Sequence, residues 1–178
     1  MGTQSDFLVG LAKSTGQVDF EAVYRKELPR VYNFFRYRVG EDQTAQDLTA
    51  ETFEKAWRHR ERYRNDLASF STWLFTIARR VATDHFRKWR RTFPLEEAER
   101  ISTSQTLEDT AQERTELAQL SALLTRLAER ERELVALKFG AGLTNRAIAQ
   151  ISGLSESNVS TILSRVTHQL RTQLENES

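Results

Sequence analysis

Apolar positions recur every three or four residues along most of this chain, and strict alternation is nowhere sustained, so the pattern predicts helices and no sheet. A short helix is expected from Asp6 to Lys13, ending near Ser14-Thr15-Gly16. Asp19 is placed to cap the next, where Phe20, Val23, Tyr24, Leu28, Val31, Tyr32, Phe35 and Val39 fall at helical intervals up to Gly40. Pro29 lies inside that run and should kink it or begin a new helix. A third helix, roughly Gln43 to Arg60, should bury Ala45, Leu48, Thr52, Phe53, Ala56 and Trp57. Tyr63-Arg64-Asn65-Asp66 reads as a loop. From Ser69 or Ser71 a long helix should run to about Arg91 with Phe70, Trp73, Leu74, Ile77, Val81, Phe86 and Trp89 turned inward.

The pattern lapses after Pro94, where LEEAERISTSQTLEDTAQERTE is polar, acidic and weakly amphipathic, the composition of a linker that orders only on a partner. Periodicity returns at Leu117, Leu120, Leu124 and Leu127, then at Leu134, Leu137 and Phe139 before Gly140-Ala141-Gly142. The expected fold class is therefore all-α: two small helical domains, residues 5–91 and 117–175, joined by a flexible acidic linker over 92–116.

The stretch from Leu143 to Arg171 carries the most information. Thr144 is a good N-cap, and Ala147, Ile148 and Ile151 put an apolar stripe on a short helix. Ser152-Gly153-Leu154 supplies a tight turn, with Gly153 free to take positive φ and Leu154 buried at the corner. Ser155 then caps a second helix that buries Val159, Ile162, Leu163, Val166 and Leu170. Its opposite face carries Glu156, Ser157, Asn158, Ser160, Thr161, Ser164 and Arg165, short hydrogen-bonding groups suited to a major groove. An ordinary helical hairpin with a solvated outer face is the alternative.

Composition narrows the class. With 178 residues, 29% of them charged, and no apolar run approaching a membrane span, a soluble cytoplasmic protein is expected. Absence of cysteine excludes disulfides, zinc-thiolate sites and thiol nucleophiles. The net charge of +1 conceals a division: residues 1–91 carry 17 Lys/Arg against 12 Asp/Glu, residues 92–118 carry 2 against 7, and residues 119–178 carry 7 against 6.

Two faces offer chemistry. On the long helix Thr72, Thr76, Arg79, Thr83, Arg87 and Arg90 share one side, widened by Arg80, Lys88 and Arg91, and Tyr63, Phe70, Trp73 and Phe75 lie beside it. Such a basic stripe tracks phosphates, and neighbouring rings receive unstacked bases; a plain solvated face is the competing reading. On the third helix Asp47, Glu51, Glu54 and Arg58 form a second stripe, open to a solvated face, a protein-docking surface or a divalent metal. His59, His85 and His168 are scattered without metal-ligand spacing, and neither a glycine-rich phosphate loop nor a nucleophile elbow is present. An enzyme is not expected, nor a cofactor or metal.

Together these segments resemble a bacterial RNA polymerase sigma factor of the extracytoplasmic-function (ECF) group. DLTAETFEKAW (Asp47 to Trp57) is similar to the family's core-binding motif, SFSTWLFTIARRVATDHFRKWRR (Ser69 to Arg91) to its melting and −10-reading helix, and LTNRAIAQISGLSESNV to its −35-reading helix-turn-helix. The resemblance implies that Asp47, Glu51, Phe53 and Glu54 dock on core RNA polymerase. It implies that Tyr63, Arg64, Asn65, Thr76, Arg79, Arg80, Thr83 and Arg87 meet −10 DNA, duplex and then non-template strand. It assigns −35 contacts to Arg146, Glu156, Ser157, Asn158, Ser160, Thr161, Ser164 and Arg165, and implies an anti-sigma factor as a further partner. The acidic linker would thread the polymerase's RNA-exit path. Relatives often carry Asn where Arg80 stands, and basic residues where this chain has Ser160, Ile162, Thr167 and Gln169, so phosphate attraction by the second domain alone is expected to be weak. Two rival functions follow from the same faces: a stand-alone helix-turn-helix regulator, and a metal-dependent helical nucleotide hydrolase built on Asp47, Glu51 and Glu54.

Overall fold

The computed structural model describes residues 19–92 and 119–177, and every regular element among them is helical. The helix expected over Asp6–Lys13, most of the 92–116 linker and Leu117 lie outside the described residues.

Helix α1 spans Phe20–Val39. The Asp19 carboxylate accepts the amides of Glu21 and Ala22 at 3.1 and 3.2 Å, and Gly40, at φ 75°, ends the helix by donating its amide to the Arg36 carbonyl at 2.9 Å. Pro29 neither breaks nor restarts it. The ring is exposed, so the Arg25 carbonyl that loses its amide partner lies on a side open to water. Helix α2 covers Asp42–Arg58, slightly shorter than the pattern suggests, because the chain tightens into a 3₁₀ turn over Arg60–Arg62. Glu41 caps it through the amides of Gln43 and Thr44 at 2.8 and 2.6 Å. Burial alone would raise the Glu41 carboxyl, but these bonds, the Thr44 hydroxyl and nearby Arg36 bring it below the ordinary carboxylate value. Helix α3, Phe70–Thr92, is capped by Ser69, whose Oγ accepts the Thr72 amide at 3.2 Å.

The second half comprises α4 (119–125), α5 (Glu129–Val135) and two further helices, with α5 running directly into a π-helical turn over Ala136–Gly140. Helix α6 is Asn145–Ser152 and α7 is Glu156–Glu177.

The two halves share one core. Val31, Phe34, Phe35, Leu74, Phe75, Leu134, Leu137, Ile148 and Val159 are all fully buried and belong to the same cluster. Helix α1 packs on both α2 and the π turn, and α3 packs on α6. The approach is close at Gly140: a Cβ there would meet the Asn33 carbonyl oxygen at 2.9 Å and the Phe34 Cα at 3.1 Å. Polar groups inside the seam are largely paired. Glu27, 3% exposed, accepts from Arg30 at 2.8 and 3.0 Å, and the Arg30 Nε donates across the seam to the Ala141 carbonyl at 2.8 Å. Arg38, 2% exposed, donates to the Glu129 carbonyl at 3.1 Å and lies 4.8 Å from the Phe86 ring centre. Its Nε has no partner among the described residues, a cost of about 1–3 kcal/mol for a buried donor that makes the seam weaker than its apolar packing suggests. Among the described residues no helix is long and apolar enough to cross a membrane.

Candidate nucleic-acid and protein interfaces

Helix α2 buries Ala45, Leu48, Thr49, Thr52, Phe53 and Ala56, which leaves its acidic residues on the opposite side. Asp47 accepts from the Gln43 side chain at 3.0 Å, Glu51 pairs with Lys55 at 2.7 Å, and Glu54 pairs with Arg58. Each carboxylate is thus held by a residue one turn away, in a row open to solvent. Among the described residues no three His, Asp or Glu side chains group so as to hold a metal ion. Phe53, which the helical period buries and the resemblance lists among the docking contacts, lies beneath the acidic row. It is 8% exposed and packs edge-on against Tyr24 at 4.7 Å, because it occupies the apolar stripe of α2 rather than the acidic one.

The loop between α2 and α3 is built around Tyr63. Its ring packs against Phe70 and Trp73, with centroids 5.3 and 5.4 Å away, and its hydroxyl donates to the Ala68 carbonyl at 3.2 Å. Tyr63 therefore frames the loop. Arg64 and Asn65 project from it exposed, Arg64 forked onto the Asp66 carboxylate at 2.6 and 3.1 Å. Of the rings beside the basic stripe, Phe75 is core; Tyr63, Phe70 and Trp73 are half-buried.

Along α3 the stripe is exposed at Arg80, Thr83, Arg87, Lys88, Arg90 and Arg91 and half-buried at Thr76 and Arg79. Thr72 falls off it, buried beneath the Ser69 cap. Thr76 and Thr83 donate to the carbonyls of Thr72 and Arg79 at 2.9 Å each, which orients their side chains along the helix. Arg87 pairs with Asp84 at 2.9 Å. Arg79 reaches Glu133 of α5 at 2.8 Å, and Arg90 pairs with Glu129. His85 is half-buried beside Phe86; burial pushes its imidazole below the ordinary value, Glu51 opposes that shift and Lys88 adds to it.

The helix-turn-helix forms as the residues demand. The Thr144 hydroxyl accepts the Ala147 amide at 3.2 Å, Gly153 adopts φ 73°, and the Ser155 hydroxyl accepts the Asn158 amide at 3.2 Å. Val159, Leu163 and Val166 are buried, while Ile162, Leu170 and Leu154 pack half-exposed at the edge. Leu154 is thus less enclosed than expected. Glu156, Ser157, Asn158, Ser160, Thr161, Ser164 and Arg165 are all exposed on one face, with Arg146 exposed on α6. Arg165 pairs with Glu131 at 2.7 Å.

Periodicity alone misses the residues that join the halves: Arg30, Arg38, Glu129, Glu133 and Gly140. One signal was present. Arg38 follows Val31 and Phe34 at helical spacing, which puts a guanidinium on the buried stripe of α1.

An acidic helix face, a basic helix face beside an aromatic-framed loop, and a helix-turn-helix follow one another along the described residues. Sigma-70 region 2 matches residues 23–92 and Sigma-70, region 4 matches residues 123–172, together more than half of the chain. The chain belongs to the sigma-70 family, in its ECF group. It is 32% identical over 159 residues to the ECF RNA polymerase sigma factor BldN of Streptomyces coelicolor, covering 87% of this chain but 60% of that protein's length. To the ECF RNA polymerase sigma factor SigM of Bacillus subtilis it is 25% identical, covering 85% of this chain and 92% of SigM. The fold is shared with the sigma factor RpoE from Bartonella quintana, solved with the anti-sigma factor NepR: TM-score 0.73, 23% identity, 88% of this chain and 97% of that one.

Proposed function

We propose that this chain is a promoter-specificity subunit that binds core RNA polymerase, directs it to particular promoters and assists strand separation, with no active site of its own. The observation that carries this reading is the placement of three surfaces of different chemistry on one helical chain, within the two matched family regions. The solvent-facing row of Asp47, Glu51 and Glu54 presents negative charge to a partner protein, and Phe53 holds that helix in place from beneath. The stripe of Arg79, Arg80, Thr83 and Arg87 follows the non-template strand, and the loop at Arg64 and Asn65 takes an unstacked base. Unstacking costs a few kcal/mol per step, which base capture and backbone contacts must offset, so no nucleotide hydrolysis is needed. The exposed face of α7 reads the −35 element in the major groove, with Arg146 on the flanking backbone. Residues 5–91 and 117–175 act as separable modules on the polymerase, joined by 92–116 in its RNA-exit path. The working compartment is the cytoplasm, and an anti-sigma protein is the third partner.

Run-off transcription from genomic fragments, with purified core enzyme and with or without this chain, tests the proposal. New start sites that appear only with the chain are expected; an unchanged initiation pattern, or a chain that never co-migrates with core, would falsify it.

A further inference from the structure

Leu67 is 69% exposed, the highest value of any large apolar side chain among the described residues. A lone surface leucine is ordinary; the turn beneath this one is not. The amides of Leu67 and Ala68 both donate to the Arg64 carbonyl, at 3.2 and 3.4 Å, and the Tyr63 hydroxyl donates to the Ala68 carbonyl at 3.2 Å. The Arg64 guanidinium, forked onto Asp66, closes the same turn from the other side. Ser69, two residues on, caps α3, and the Tyr63 ring is packed on Phe70 and Trp73 of that helix. The backbone at Leu67 is thus fixed to α3 while its side chain stands in water. Holding an isobutyl group out on a braced turn leaves little ordering cost to meet when it is finally covered.

We propose that Leu67 is a wedge: it enters the DNA stack beside the base that leaves it, and covers the face of the base left behind. This rests on the reading of the loop at Arg64 and Asn65 as the one that takes an unstacked base. The surroundings select DNA over an apolar protein partner. Arg62, Arg64, Asn65 and Asp66 around it are all exposed and polar, so Leu67 belongs to no apolar patch of the kind found at a protein interface core. An isolated apolar group among arginines matches a nucleic acid, with phosphates for the cations and base faces for the leucine. Leucine carries no hydrogen-bonding group, so the wedge aids opening without reading sequence.

The test uses holoenzyme assembled from purified core and the full chain, on a promoter fragment located by run-off transcription. The fragment is supplied as duplex and, separately, with a mismatched bubble already open across the −10 element; opening is followed by 2-aminopurine fluorescence. Leu67→Ala should slow open-complex formation on the duplex about tenfold, the rate equivalent of part of one base step's stacking energy. On the bubble it should match the wild type, and Leu67→Met, an apolar side chain that also serves as a wedge, should keep the wild-type rate on both. Equal slowing on duplex and bubble, no slowing on either, or failure of methionine alongside alanine overturns the wedge. Weaker core affinity in Leu67→Ala would make the leucine a protein contact, and a lowered denaturation midpoint would make it a packing residue; each overturns it too. If the wild-type holoenzyme initiates from neither template, the functional reading itself fails.

Discussion

Exposed carboxylates contribute little to folding, so Asp47 and Glu51 can be removed with small structural consequence. Asp47→Ala combined with Glu51→Ala should shift unfolding free energy by no more than about 1 kcal/mol while weakening association with core polymerase. Unfolding curves and a core-binding titration on the same preparations separate the two effects. Unchanged core affinity rejects the docking role. His85 permits a test by pH. Its imidazole is held below the unfolded value of about 6.5, chiefly by burial, so in that window the unfolded chain binds more protons and stability falls as pH drops. His85→Gln should lose less stability than the wild type between neutral and mildly acidic buffer, measured by denaturant midpoints. An equal loss would place the acid sensitivity elsewhere.

At the scale of elements, the helix-turn-helix was readable nearly residue by residue, because its local chemistry and its apolar stripe agree. Thr144, Gly153 and Ser155 each do what their type favours, and Val159, Leu163 and Val166 follow the helical period into the core. Ser155→Ala should therefore cost about 1 kcal/mol, seen as a lower denaturation midpoint. Asn158→Ala and Arg165→Ala should weaken −35 discrimination by about 1–3 kcal/mol for each lost base-edge contact, while core binding holds. Filter binding or competition with altered −35 sequences checks this; equal weakening on every sequence would mark these residues as phosphate contacts. Elsewhere local pattern and tertiary placement diverge. Pro29 forecasts a break that α1 does not make, since exposure relieves the lost hydrogen bond. Helical period puts Phe53 on the buried stripe of α2, whereas the resemblance puts it among the docking contacts, and its 8% exposure follows the period.

Across the whole molecule, two helical modules are what charge partition and the polar 92–118 stretch lead one to expect, and the two family regions fall on either side of it. The seam between them was not readable. It depends on contacts more than ninety residues apart, such as Arg38 to Glu129 and Arg30 to Ala141, which no local period encodes. Its presence has a calorimetric consequence. If recruitment to polymerase parts the modules, as the proposed function requires, Phe34, Leu137 and their neighbours meet water, and that hydration raises heat capacity against the decrease from forming the new contacts. Titrations over a range of temperatures should thus give a less negative heat-capacity change for the wild-type chain than for Gly140→Ala, whose added Cβ would meet the Asn33 carbonyl oxygen and should part the seam beforehand; identical values would mean the seam survives recruitment intact.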